Sequence, residues 1–191
     1  MLQYNDPTKY TMTVKRQTES ITFRIEKSIL DNLREVSRKQ NITPNSLAAQ
    51  ILGSYIEWEL NAGAAGWVSI PKTFLIEFMK LVEEKDMERI VSTIAREMAK
   101  DMDLYMRGRH DVEAWLSIIR ARATRSGCNL MEYREGDKLE LVIQHDMGKK
   151  WSLYYKTFYE NVFYDLGIKA DFDYTENTLA IKLDASRWKG K

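Results

Sequence analysis

The chain has 191 residues, a formal net charge of +1 and a hydrophobic fraction of 44%, values typical of a soluble protein with one or two small cores. No apolar run approaches the roughly 20 residues of a membrane span, so we predict neither a span nor a secretory signal and expect a cytoplasmic protein. One cysteine, Cys128, excludes an internal disulfide framework. Two histidines leave no common structural metal site, and we predict no metal or other cofactor.

Residues 1–18 show no sustained periodicity and are rich in threonine, which predicts a flexible arm. Lys15 and Arg16 give the end of this arm a positive charge, and Arg24 and Lys27 continue it against Glu19 and Glu26. The excess of positive charge in this region is modest in one chain and doubles in a dimer. A solvated tail is the alternative interpretation of the arm.

Residues 20–26 alternate between apolar and polar side chains, as a half-buried strand does. Ile21, Phe23 and Ile25 fall on one face, and Ser20, Thr22 and Arg24 fall on the other. No second strand pattern lies nearby in the sequence. We therefore expect a partner outside the chain to complete this sheet.

Two amphipathic helices are predicted after this strand. Their apolar stripes are Ile29, Leu30, Leu33 and Val36 for the first and Leu47, Ile51, Leu52, Tyr55 and Ile56 for the second. Between them, Asn41 tolerates a left-handed backbone, Thr43 can cap the second helix and Pro44 suits its first position. The order is strand, helix, turn, helix.

Three segments carry a resemblance to a known family: Ile-Thr-Phe-Arg-Ile, Ile-Leu-Asp-Asn-Leu and Ile-Thr-Pro-Asn-Ser-Leu. They resemble the ribbon-helix-helix superfamily of prokaryotic DNA-binding repressors, the Arc, MetJ and CopG class, over about one fifth of the chain. The resemblance implies a homodimer whose paired strands form a ribbon in the major groove of double-stranded DNA. By position, Ser20, Thr22 and Arg24 would read bases.

The chemistry of these residues suits DNA independently. Arginine can bind guanine through two hydrogen bonds, and hydroxyl groups serve donor or acceptor positions. Free amide groups at Asn45 and Ser46, at the start of the second helix, suit a phosphate, as do Lys15, Arg16 and Lys27. The alternative is the edge of an ordinary α/β domain, with Thr22 and Arg24 facing solvent. We favour DNA binding because an unpaired strand, two helices and a polar helix start occur together.

Small residues at 61–66 predict a linker between a DNA-binding domain at 19–60 and a C-terminal domain at 67–185. The second domain begins with predicted helices from Pro71 to about Val82, from Asp86 to Gly108 and from Asp111 to Gly127. Two hairpins then flank a helix predicted at 150–166, with turns at 135–137 and 175–177. We predict an α+β fold with a ββαββ unit, and a basic tail at 186–191.

The loop from His145 to Trp151 joins a predicted strand to a predicted helix, where polar groups often contact a ligand or partner. Asp146 could cap the helix, Lys149 could neutralise an anion, and Trp151 and Tyr155 could form aromatic walls with His145 nearby. The alternative is a capped helix start over an aromatic core, and we favour it, since a lone histidine beside a capping aspartate needs no ligand.

The sequence contains no nucleophile elbow, no glycine-rich phosphate loop and no cluster of metal ligands, so an enzyme is not predicted. We predict a homodimeric transcriptional regulator whose C-terminal domain binds a small-molecule or protein effector or extends oligomerisation. The alternative is an antitoxin-like factor that binds another protein and represses its own operon.

Overall fold

The computed structural model describes residues 17–188 and divides the chain into two compact units, residues 1–48 and 49–191. The structure contains α-helices and a four-stranded antiparallel sheet, which confirms the α+β class. Most of the predicted arm, and residues 189–191 of the predicted basic tail, lie outside the described residues.

The first unit contains a helical hairpin. Helix α1 runs from Lys27 to Lys39, and helix α2 runs from Pro44 to Ser54, so that the division between the units falls within α2. Asn41 has a φ of 55°, the left-handed conformation that asparagine tolerates. The Thr43 hydroxyl accepts a hydrogen bond from the Ser46 amide at 3.1 Å, which confirms the predicted cap.

Residues 20–26, predicted as a strand, form neither helix nor strand in the single chain. A strand needs a neighbour to accept and donate its backbone hydrogen bonds. The two-stranded ribbon therefore remains a prediction about a pair of chains.

The second unit begins within α2, which continues as a single π-helical segment, Tyr55–Glu59, and a short helix α3, Leu60–Ala62. Ala62 and Ala65 are buried in the hydrophobic core of this unit. These two alanines pack into the core, and Gly63, Ala64 and Gly66 are exposed, whereas the sequence pattern predicted a linker at 61–66.

Three further helices form the block before the sheet: α4, Lys72–Leu81; α5, Glu84–Arg107; and α6, Val112–Arg125. Helix α5 ends at Gly108, where φ is 69°, and Gly127, with φ 61°, follows the end of α6. These glycines confirm the predicted ends. Within residues 17–188, none of the helices is both long enough and apolar enough to cross a membrane.

The sheet has the strand order β1-β2-β4-β3 and is antiparallel throughout. Its strands, with the intervening helix α7, are β1, Asn129–Glu135; β2, Lys138–Gln144; α7, Lys149–Asp165; β3, Ala170–Tyr174; and β4, Thr178–Asp184. This order along the chain confirms the predicted ββαββ unit. Hydrogen bonding of β2 to β4 joins the two hairpins into one sheet.

Apolar residues of the central strands form one buried face of this sheet. The register pairs Leu139 with Leu183, Leu141 with Ile181, and Ile143 with Leu179. All six are buried in one core with residues of α5, α6 and α7, including Trp115, Phe158 and Val162. The period of two in β2 and β4 thus predicts which side chains enter the core.

We predict that the cap of α6 contributes measurably to stability. The Asp111 carboxylate accepts a hydrogen bond from the Ala114 amide at 2.8 Å. Asp111→Ala removes this acceptor and should lower the free energy of unfolding by about 1 kcal/mol. Asp111→Asn keeps a capping oxygen and is the control. Urea denaturation measures both variants, and equal losses would show that the lost charge, not the cap, is responsible.

Candidate functional site

The predicted DNA-reading segment has all of its side chains exposed. Ser20, Thr22 and Arg24 are open to solvent, as the prediction requires. The alternate residues are exposed too: the exposed fractions of Ile21, Phe23 and Ile25 are 73%, 57% and 48%. In the single chain the apolar set is therefore as uncovered as the polar set.

The described residues of the first unit, 17–48, do not cover these apolar side chains. Among residues 17–48, Leu47 is the one large apolar side chain that is buried, while Leu30 and Leu33 are half-buried. Ile29 and Val36 on α1 are exposed. So small a segment cannot bury enough apolar surface by itself to form a stable core.

The start of α2 differs in one respect from the prediction. Asn45 and Ser46 are exposed, but the Ser46 amide already donates to Thr43 Oγ1, and the Ser46 hydroxyl lies 2.9 Å from the same oxygen. The expectation of a free amide at Ser46 is wrong, because the Thr43 cap uses it. The exposed side chains of Asn45 and Ser46 remain able to meet a phosphate.

Of the three basic residues predicted to contact phosphates, only Lys27 lies within the described residues. Lys27 is the first residue of α1 and is exposed. Lys15 and Arg16, predicted to contact phosphates from the arm, lie outside the described residues.

The predicted ligand loop in the second unit borders a cavity of about 540 Å³. Asp146 and Lys149 line it, opposite the end of α4 and the β3–β4 turn. The remaining lining residues are Ile76, Met79, Lys80, Glu84, Met147, Gly148, Lys150, Glu176 and Asn177. Three carboxylates and several lysines share the lining, which suits a polar ligand of mixed charge better than a simple anion.

His145 belongs to the core and not to the cavity. Its side chain is fully buried, its Nδ1 accepts from the Met147 amide at 3.1 Å, and its Nε2 lies 2.8 Å from the Ser152 hydroxyl. Because Nδ1 is an acceptor, Nε2 carries the proton and donates to Ser152. The Ser152 hydroxyl in turn donates to the Glu176 carbonyl at 3.4 Å. These contacts support the ligand-free interpretation of His145.

The other predicted members of this site are also separated by the structure. Asp146 does not cap α7, since the helix begins after Gly148 and no side chain caps it. Tyr155 is buried and Trp151 half-buried, and the two rings pack together at 5.6 Å within the aromatic core. Neither lines the cavity, so Asp146 and Lys149 alone remain of the five predicted residues.

The sequence pattern does not reveal the contacts of the Lys150 side chain. Its Nζ donates to the Lys80 carbonyl at 3.2 Å and to the Val82 carbonyl at 2.7 Å, at the end of α4. A lysine that satisfies helix carbonyls about 70 positions away leaves no periodic signal. The side chain links the start of α7 to the end of α4 beside the cavity.

Comparison with protein-family models gives no match for this chain, and comparison with curated proteins gives none either.

We predict that His145 makes the protein sensitive to acid. Burial lowers the pKa of His145 to about 4, whereas the unfolded residue titrates near 6.5. Between these values the unfolded chain binds more protons, so stability should fall as the pH drops from about 6.5 to about 4, by up to about 3 kcal/mol.

The measurement is urea denaturation at a series of pH values, with His145→Asn as the comparison. Asparagine keeps an acceptor for the Met147 amide but does not titrate. The difference in unfolding free energy between wild type and variant should narrow with acid. If the unfolding free energies of wild type and variant changed in parallel with pH, His145 would not be the source of the acid sensitivity.

Proposed function

We propose that this protein is a sequence-specific DNA-binding transcriptional regulator. Two copies pair residues 20–26 into an antiparallel ribbon that enters the major groove, and the second unit serves as an effector or oligomerisation domain. Ser20, Thr22 and Arg24 face the bases, while Asn45, Ser46 and Lys27 meet phosphates, with Lys15 and Arg16 as further candidates in the arm.

The observation that carries the proposal is the exposure of Ile21, Phe23 and Ile25 in a segment that alternates as a strand but has no strand partner within residues 17–188. Burying a side chain of this kind is worth roughly 1.5–3 kcal/mol. Pairing two copies covers the apolar set and supplies the missing hydrogen bonds in one step. It leaves the polar set free on the opposite face.

The residue types on that free face support DNA as the partner. A two-stranded ribbon fits the major groove, where an arginine can bind guanine and hydroxyl groups can bind several bases. Arg24 is exposed and takes part in no salt bridge within the described part of the chain. Its guanidinium is therefore available to a base.

The second unit supports a regulatory role through its cavity. Asp146 and Lys149 line a space large enough for a small molecule, between α4, the start of α7 and the β3–β4 turn. We infer that an effector of mixed charge binds there, or that a protein partner inserts a side chain.

Dimerisation through the ribbon is the first prediction of this proposal. Phe23→Asp places a charge in the apolar set and should convert the dimer into a monomer at micromolar concentration. Thr22→Asp, one residue away on the polar face, should leave the dimer intact. Light scattering measures both variants. A folded wild-type monomer at the same concentration would contradict the ribbon.

Base reading by Arg24 is the second prediction. Arg24→Ala should weaken binding to the cognate operator by roughly 1–3 kcal/mol and reduce the preference for it over other sequences. Ser46→Ala is the matched control, since it should weaken binding to all sequences by a similar factor.

Each variant is titrated with the cognate and a scrambled duplex at one salt concentration. Selection of operators from a random library by the wild-type protein supplies the cognate site. Unchanged discrimination by Arg24→Ala would remove Arg24 from the base-reading residues.

A further inference from the structure

Arg122, in the middle of the second unit, is a buried cation without a carboxylate partner. Its side chain is buried among α7 and the segment before α4, and it takes part in no salt bridge within the described residues. Most buried arginines are paired, because removing an isolated charge from water costs several kcal/mol. The groups around this guanidinium must therefore offset the cost of burying its charge.

Aromatic rings supply part of the compensation. The guanidinium carbon lies 4.8 to 5.9 Å from the centroids of four rings, which belong to Trp67, Tyr154, Tyr155 and Phe158. A desolvated cation near the face of an aromatic ring is attracted by the negative potential of that face. The rings can therefore offset the charge, but they do not satisfy the N–H groups.

Buried N–H donors without an acceptor lie beside this side chain. Within the described residues, Arg122 donates to the Tyr154 hydroxyl at 3.0 Å and to the Tyr159 hydroxyl at 3.5 Å. The indole nitrogens of Trp67, whose ring the guanidinium contacts, and of Trp151, whose ring packs on Tyr154, are buried and have no hydrogen-bond partner. Buried donors are rarely left in this state.

The buried tyrosines Tyr155 and Tyr159 do not supply a negative charge. Burial raises the pKa of their hydroxyls, so both remain neutral at ordinary pH. Within residues 17–188, the cluster therefore has buried indole N–H donors and no anionic acceptor.

We propose that the cluster of Arg122, Trp67, Trp151 and Tyr154 binds the carboxylate group of a small aromatic or aliphatic acid. A guanidinium matches the planar geometry of a carboxylate, and the rings provide an apolar surface for the body of the acid. Inorganic phosphate offers no such body.

The burial pattern indicates the side from which the acid arrives. Tyr155, Phe158 and Tyr159 are buried, whereas Trp67, Trp151 and Tyr154 are only half-buried. The acid reaches Arg122 by displacing these half-buried rings. The site lies wholly within the second unit and its test uses no DNA, so its outcome is separate from that of the proposed regulatory function.

The experiment is a titration of the full chain, labelled with ¹⁵N in its indole groups, with sodium benzoate. The chain has five tryptophans, and Trp67→Phe, Trp151→Phe and Trp188→Phe identify three of the five indole signals. We expect benzoate to move the Trp67 and Trp151 signals to saturation and to leave unchanged the signal of Trp188, whose N–H donates to Glu113. Benzamide, which is neutral and of the same shape, should move neither.

Arg122→Met removes the charge at similar volume and should weaken benzoate binding by about tenfold or more. Arg122→Lys, which keeps a charge but loses the planar fork, should give an intermediate affinity and serves if the first variant does not fold. Equal responses to benzoate and benzamide, or binding by Arg122→Met as tight as by wild type, would overturn the proposal. So would no response to benzoate, or equal shifts with phosphate or chloride, which would assign an inorganic anion instead.

Discussion

The pairing of β2 with β4 is the constraint on which the rest of the second unit depends. The two strands lie side by side although residues 145–177 separate them along the chain, and α7 occupies about half of that interval. Closing so long a loop costs entropy that the buried pairs, such as Leu141 with Ile181, must offset. Once they pair, the hairpins, α7 and the loop beside the cavity have fixed positions.

The first unit has the opposite character. Its strongest local signals, the turn at Asn41 and the cap at Thr43, determine a helical hairpin without a core of its own. The apolar side chains of residues 20–26 are uncovered in a single chain, and on our proposal they become a core only between two copies. Stability and oligomeric state would then be one property, since no folded monomer of this unit would be populated.

Local chemistry explains why much of this fold could be predicted. The ends of α5 and α6, the cap at Asp111 and the two hairpins follow from glycine, capping residues and periodicity. The strand order β1-β2-β4-β3 could not be predicted from local chemistry, because it is set by pairing between distant segments. The candidate site was predicted less well. The position of Asp146 suggested that it caps α7, but the N-cap of this helix is Gly148, two residues later. The environment of Arg122 depends on three separate segments and leaves no local pattern.

The contact of Lys150 with the end of α4 couples two parts of the second unit. Helix α4 has no fully buried side chain, so it is held less firmly than α5 or α7 and should open more readily. Its last carbonyls accept the Lys150 ammonium beside the cavity that both segments line. A molecule in that cavity would therefore slow amide hydrogen exchange in α4 as well as at the start of α7. By reciprocity, the closed form of α4 strengthens binding of that molecule by the same free energy by which the bound molecule favours the closed form.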